Sequence, residues 1–189
     1  MRVDTGFAAL GTERLVLRRS LPEDAPTISA YRSDPVVHRH QGWDRTDVEG
    51  VRAEIEEMAG RAPGEPGGWV QLSAIRREDE ELIGDVGLSV GEAEPEVLKL
   101  GYTISPAFQG LGYATEAVAA LTEYGFDALA AEVVRIYASA ANAASIRVAE
   151  KVGLRLVERI PRGGGRSAVR YELTRDERGF RHAPIPTDT

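Results

Sequence analysis

The sequence predicts an α/β domain, a mixed β-sheet of about seven strands with helices packed on it. Three observations predict it. The 189 residues, 42% hydrophobic and 28% charged, suit one soluble domain with a proper core. Short β-like runs joined by polar turns meander through the first half of the chain. In the second half such runs alternate with helical segments carrying an apolar stripe.

In chain order, RLVLRR (Arg14 to Arg19) reads as a strand. LPEDAPTISAYRS follows, with Pro22 and two acids at a helix start. A second helical segment, rich in Glu, runs from about Asp47 to Gly60, and the Pro/Gly run from Pro63 to Gly68 breaks the chain into a loop. WVQLSAIR and ELIGDVGLSV form a hairpin around the charged turn Arg77 to Glu80. VLKLGYTIS is the next strand, with Leu98, Leu100, Tyr102 and Ile104 on one face. After it, Ala114, Ala117, Val118, Leu121, Gly125 and Ala128 recur at helical spacing. RIYASA is a strand. NAASIRVAEKVG is a short helix with Asn142 as N-cap and Gly153 as the residue after its end. LRLVERI and SAVRYELTR pair as a hairpin around Pro161 to Arg166. The domain is expected over residues 1–181, with 182–189 a flexible tail.

Composition narrows the function. Without cysteine there is no disulfide, thiolate nucleophile or cysteine zinc site, which fits a reducing cytoplasm, the expected location. No run has the apolar length of a signal peptide core or a membrane span, so no membrane partner is expected. A net charge of −7 argues against a general nucleic-acid partner. His38 and His40 alternate near Trp43, but no third ligand accompanies them and no metal is expected.

The informative stretch is SPAFQGLGYATEAVAAL, Ser105 to Leu121, where Gly110 and Gly112 stand between a strand and a helix. Free N–H groups at a helix start, with its partial positive charge, suit a phosphate, and glycine lets that phosphate reach the backbone. A P-loop requires Lys-Ser/Thr after the last glycine, where Tyr113-Ala114 stands instead. A dinucleotide fingerprint requires Gly or Ala where Thr115 stands, and Glu132 precedes the next strand rather than ending it.

Gln109-Gly110-Leu111-Gly112-Tyr113-Ala114 matches Gln-x-x-Gly-x-Ala, and here the chain resembles the GCN5-related N-acetyltransferase (GNAT) family. LGYTISPAFQGLGYATEAV, RIYASAANAASIRVAEKVGLR and TERLVLRRSLPEDA are similar to the branch that contains the ribosomal-protein alanine and serine N-acetyltransferases. The resemblance covers nearly the whole chain. It implies a single domain with helices on both faces of the sheet and two parallel strands, VLKLGYTIS and RIYASA, splayed at its centre. It also implies acetyl-CoA as cosubstrate. Gln109, Gly110, Leu111, Gly112, Tyr113, Ala114 and Thr115 would then wrap the pyrophosphate, and the backbone near Ile104 would hold pantetheine. Asn142 would serve both cosubstrate and chemistry, and Ser145 would assist the leaving thiolate. Many relatives carry a Tyr seven positions after the Asn, where this chain has Ala149.

The base is less legible, because Lys99 stands where relatives often place an acid. Asp85, in mid-strand, is the side chain that could face the acceptor, with an ordinary paired or solvated carboxylate as the alternative. The resemblance implies that HRHQGW (His38 to Trp43) walls the acceptor site, with ordinary loop packing as the alternative. Glu116, in the first helical turn, is read as a structural carboxylate. The expected reaction is direct attack of a primary amine, such as a protein N-terminal α-amine, on the thioester. A small-molecule amine acceptor, a non-catalytic acyl-CoA-binding module and an assembly partner are the alternatives, and a homodimer is compatible with each.

Overall fold

The structure, a computed structural model, describes residues 1–41, 43 and 45–179; the expected tail 182–189 and the last two residues of the expected domain lie outside them. Eight strands form one sheet: β1 (Ala9–Gly11), β2 (Leu15–Arg19), β3 (Gly68–Arg76), β4 (Leu82–Gly91), β5 (Glu94–Ile104), β6 (Val133–Ser139), β7 (Arg155–Gly163) and β8 (Arg166–Thr174). Their order is β1-β2-β3-β4-β5-β6-β8-β7. Every neighbouring pair is antiparallel except β5 and β6, which are parallel and joined by the crossover helix. The eighth strand is β1, three residues without an alternating pattern of their own, formed because Leu10 finds Leu17 of β2.

The helices are α1 (Ala25–Arg32), α2 (Pro35–His38), α3 (Val48–Ala59), α4 (Tyr113–Asp127), α5 (Ala143–Val152) and α6 (Arg175–Gly179). Asp47 caps α3 by accepting from Gly50 N, and Asp34 caps α2 by accepting from Val36 N. Neither α2 nor α6 is foreseen from sequence, since four or five residues show no period. Gly153 ends α5 at φ +103°, as its position predicts.

Alternation along the strands sorts the sheet into two unlike faces. One carries Leu72, Val86, Leu88, Leu98, Leu100, Val134, Ile136 and Val169, all nearly inaccessible, and α4 buries Val118, Leu121 and Phe126 against it. Each such side chain contributes about 1.5–3 kcal/mol by leaving water. The other face carries Ser73, Asp85 and Thr103, and α1 and α3 lie over it through a separate small cluster of Ala25, Ile28, Tyr31, Val51 and Ile55. Helices therefore pack on both faces, as the resemblance implies.

Candidate active site

β5 and β6 pair only from Val97–Val133 to Leu100–Ile136, yet β5 continues to Ile104 and β6 to Ser139. Beyond that point β5 stays bonded to β4 as far as Ile104–Gly84, and β6 to β8 as far as Ser139–Ala168. Each strand follows its antiparallel neighbour, so the two part. A cleft of about 520 Å³ opens between them, walled by Gly101 to Ile104, Ile136 to Ser139, the loop after β5, the end of α2 and the first turns of α5.

The loop after β5 begins with a turn at Pro106–Phe108 and is drawn back by Gln109, whose Nε2 donates to the Ile104 carbonyl at 2.9 Å. Gly110 and Gly112 then take φ +80° and +89°, the left-handed region that side chains rarely adopt. The amide N–H groups from Gly110 through Thr115 meet no acceptor among the described residues. A β-carbon on Gly110 would find no protein atom within 4 Å, so the room there is open to a ligand. Free amides at the start of a fifteen-residue helix make an anion cradle, and the phosphates of a CoA thioester fit it.

The cradle is braced from the other end of the sequence. Glu116 accepts from Thr12 Oγ1 (2.6 Å), Arg14 N (2.7 Å) and Arg14 Nε (2.6 Å), and Arg14 Nη1 donates to the Leu111 carbonyl at 3.0 Å. Burial works against the Glu116 charge, but the bonds from Thr12 and Arg14 outweigh it and hold the carboxyl below its ordinary 4.5. This depressed value makes Glu116 stabilising above pH 4.5 and ineffective once acid protonates the folded state. Glu116→Gln is therefore expected to lower unfolding free energy near neutrality and to match the wild type well below the folded-state pKa. Urea titrations from pH 7 downward compare the two, and a gap that does not shrink as the pH falls would refute the ion-pair account.

Asn142 Oδ1 accepts from Ser145 N at 3.1 Å and so caps α5, setting Ser145 in its first turn. Ser145 Oγ lies 2.7 Å from the Tyr102 hydroxyl, which also reaches the Ser145 carbonyl at 3.0 Å. Both side chains line the cleft where the strands part. Burial raises the Tyr102 phenol to about 12, with the Ser145 bond opposing, so it stays protonated at working pH. Sequence reading missed Tyr102 as a site residue, although its alternation put a phenol among leucines, where the hydroxyl requires a partner.

Of the residues expected from sequence, Ile104, Gln109, Gly110, Gly112, Tyr113, Ala114, Thr115, Asn142 and Ser145 line the cleft. Leu111 does not; its side chain is exposed and its carbonyl serves the brace. In HRHQGW, His40 and Gln41 line the cleft beside Arg39, and Gln41 Nε2 donates to Thr103 Oγ1 at 3.1 Å. Gly42 lies outside the described residues, and Trp43 stacks on Arg32 instead. The expectation that Asp85 opens toward the acceptor is corrected. It is 4% exposed and lies outside the cleft walls, because α1 packs over it. Tyr31 and Gln71 donate to its carboxylate, and Arg32 stands 3.8 Å away. Burial raises its pKa, and Arg32, Tyr31 and Gln71 oppose the rise.

The family model described as the acetyltransferase (GNAT) domain matches residues 14–155. The N-acetyltransferase YoaA of Bacillus subtilis, itself called uncharacterized, is 30% identical over 148 residues, 78% of this chain and 82% of that one. A solved GNAT-family acetyltransferase from Bacillus anthracis superposes with a TM-score of 0.77 at 22% identity, over 89% of this chain and 99% of that one. RimL, described as a ribosomal L7/L12 alpha-N-protein acetyltransferase in complex with coenzyme A, gives 0.76 at 15% identity, over 89% and 99%. The two solved structures are alike in fold, while the family match and YoaA carry the relationship. No helix among the described residues is long and apolar enough to cross a membrane. This chain belongs to the GNAT family and is an acetyltransferase that takes its acetyl group from acetyl-CoA.

Proposed function

We propose that the enzyme acetylates the free α-amine of a peptide or protein N-terminus. One observation carries the reading: the charged side chains lining the cleft are the cations Arg39, Arg147 and Lys151 beside His40, with no carboxylate among the described lining residues. An amine that attacks the thioester must be neutral. An α-amine, with pKa about 7.7–8.0, costs roughly 1.2 kcal/mol to deprotonate at pH 7, against roughly 4.6 for a lysine near 10.4. With no anion at hand to take that proton, the α-amine is the acceptor this cleft suits, and the extra ammonium groups of a polyamine or aminoglycoside find no counter-charge. RimL, a neighbour in fold, is named as an α-N-protein acetyltransferase, which agrees by analogy.

In this mechanism the amine nitrogen bonds to the thioester carbon, the C–S bond breaks, and the amine's surplus proton leaves through water. The Ser145 hydroxyl donates a hydrogen bond to the departing sulfur while Tyr102 orients it. A thiolate whose thiol titrates near 8.5 cannot strip the proton from a phenol near 12, so the pair stabilises the thiolate by hydrogen bonding rather than by surrendering a proton. Asn142 sets the helix turn that presents Ser145. Asp85 acts from the second layer, holding α1 and the wall beyond it.

A peptide with free N-terminal Ser or Ala is expected to be acetylated at least tenfold faster than its N-blocked, lysine-containing counterpart. Mass spectrometry that locates the acetyl group checks this. Labelling confined to lysine, or to an aminoglycoside with no peptide modified, would overturn the α-amine reading and leave the CoA site standing.

A further inference from the structure

Trp69 is 42% exposed although it sits in a central strand. Its ring lies against the facing glycines Gly87 of β4 and Gly101 of β5. A β-carbon on Gly87 would come 3.0 Å from Cε3, and one on Gly101 would come 3.5 Å from Cη2. Gly101 also lines the cleft, at the point where β5 leaves β6. Beyond the gap, Tyr137 of β6 lines the cleft on the same face and is 42% exposed as well. Lys99 pairs with Arg135 across the two strands, so two residues further on Gly101 and Tyr137 share that face. Trp69, the glycine floor of Gly87 and Gly101, and Tyr137 thus follow one another as a strip across one face of the sheet toward and past the cleft.

Trp69 does not itself line the cleft, but Gly101 beneath its ring does, so the exposed ring stands beside the cleft wall. We propose that Trp69 and Tyr137 form a shelf for an apolar side chain next to the reacting amine, so that the acceptor is a peptide N-terminus with an apolar second residue. This rests on the α-amine reading above. The dimensions agree: strands lie about 4.8 Å apart and an extended peptide advances about 3.4 Å per residue, so the strip reaches one or two residues past the amine. The lining cations and the uncharged strip both disfavour a cationic side chain there.

Steady-state kinetics with two peptides of equal length, free N-terminal Ser followed by Leu or by Ser, test the proposal in the full chain. The wild type is expected to prefer the Leu peptide in kcat/KM by about tenfold or more. Trp69→Ala is expected to bring that ratio close to one with KM for acetyl-CoA unchanged, and Trp69→Phe to keep most of the preference. Because each ratio is measured on one enzyme sample, a folding defect cancels. A wild-type ratio near one, or the same ratio in Trp69→Ala, overturns the shelf while the α-amine reading survives. Wild-type turnover of small amines with no peptide modified overturns that reading, and the shelf's occupant with it.

Discussion

Gly112→Val is expected to raise the Kd for CoA by about 100-fold or more while the chain still folds. Gly112 holds φ +89° and immediately precedes α4, and its amide is one of the run from Gly110 to Thr115 that meets no acceptor among the described residues. Hydrogen bonds to a charged group contribute about 1.5–3 kcal/mol each, so misplacing two of them costs at least about 3 kcal/mol, roughly 100-fold in affinity. The substituted side chain would also meet Arg14, whose Nη2 lies 3.3 Å from the β-carbon position, and disturb the brace on Leu111. A valine forced into the left-handed region adds about 1–3 kcal/mol of strain, a Tm loss of roughly 2–4 °C per kcal/mol. Gly110→Ala isolates the contact with Arg14, since its φ of +80° brings the same left-handed strain but no described protein atom stands within 4 Å of its new carbon. Calorimetric titration of the folded variants with CoA measures both. Unchanged affinity in Gly112→Val would end the assignment of the phosphates to this loop.

Ser145→Ala is expected to lower kcat by about 100-fold or more with the Kd for acetyl-CoA nearly unchanged. The substitution leaves the helix cap intact, because Asn142 accepts from the Ser145 backbone N–H and not from its side chain. Tyr102→Phe removes the partner 2.7 Å away and should lower kcat by about tenfold, since Ser145 keeps its hydroxyl but loses its orientation. The double variant should resemble Ser145→Ala alone, as expected of two groups acting in one hydrogen-bonded unit. With Tyr102 raised to about 12, no inflection in the pH–rate profile between pH 6 and 10 should disappear in Tyr102→Phe. A rise in rate near pH 8 reports the acceptor amine, and it should persist in both variants. Pre-steady-state measurement of the chemical step decides the matter. A Ser145→Ala enzyme with an undiminished chemical step would reduce Ser145 to a helix residue.

Local features were legible in the sequence because they are set by neighbours along the chain. The glycine turn, the Asn142 cap and the left-handed Gly153 depend on a few consecutive residues, and each stands where its pattern placed it. The strands with alternating apolar residues and the helix with an apolar stripe were legible for the same reason. The three-residue β1, the short α2 and the short α6 were not, because they owe their form to the surfaces they pack on.

Only the tertiary structure decided what each polar side chain meets. Asp85 and Thr103 are directly opposed on β4 and β5, yet α1 seals the first among Tyr31, Arg32 and Gln71 while the second faces the cleft. No spacing in the sequence distinguishes them. The brace between Glu116 and Arg14 spans 102 residues, and the Tyr102–Ser145 pair spans 43. By itself the sequence determined the fold class and the glycine turn, since these are written in short-range periodicity and in glycine's freedom at positive φ, and its motif strings resembled the GNAT family, which the match over residues 14–155 shows. Which hydroxyls meet, which carboxylate is buried and where the sheet parts were decided by strand register and helix packing. Those bring together residues whose separation along the chain carries no signal.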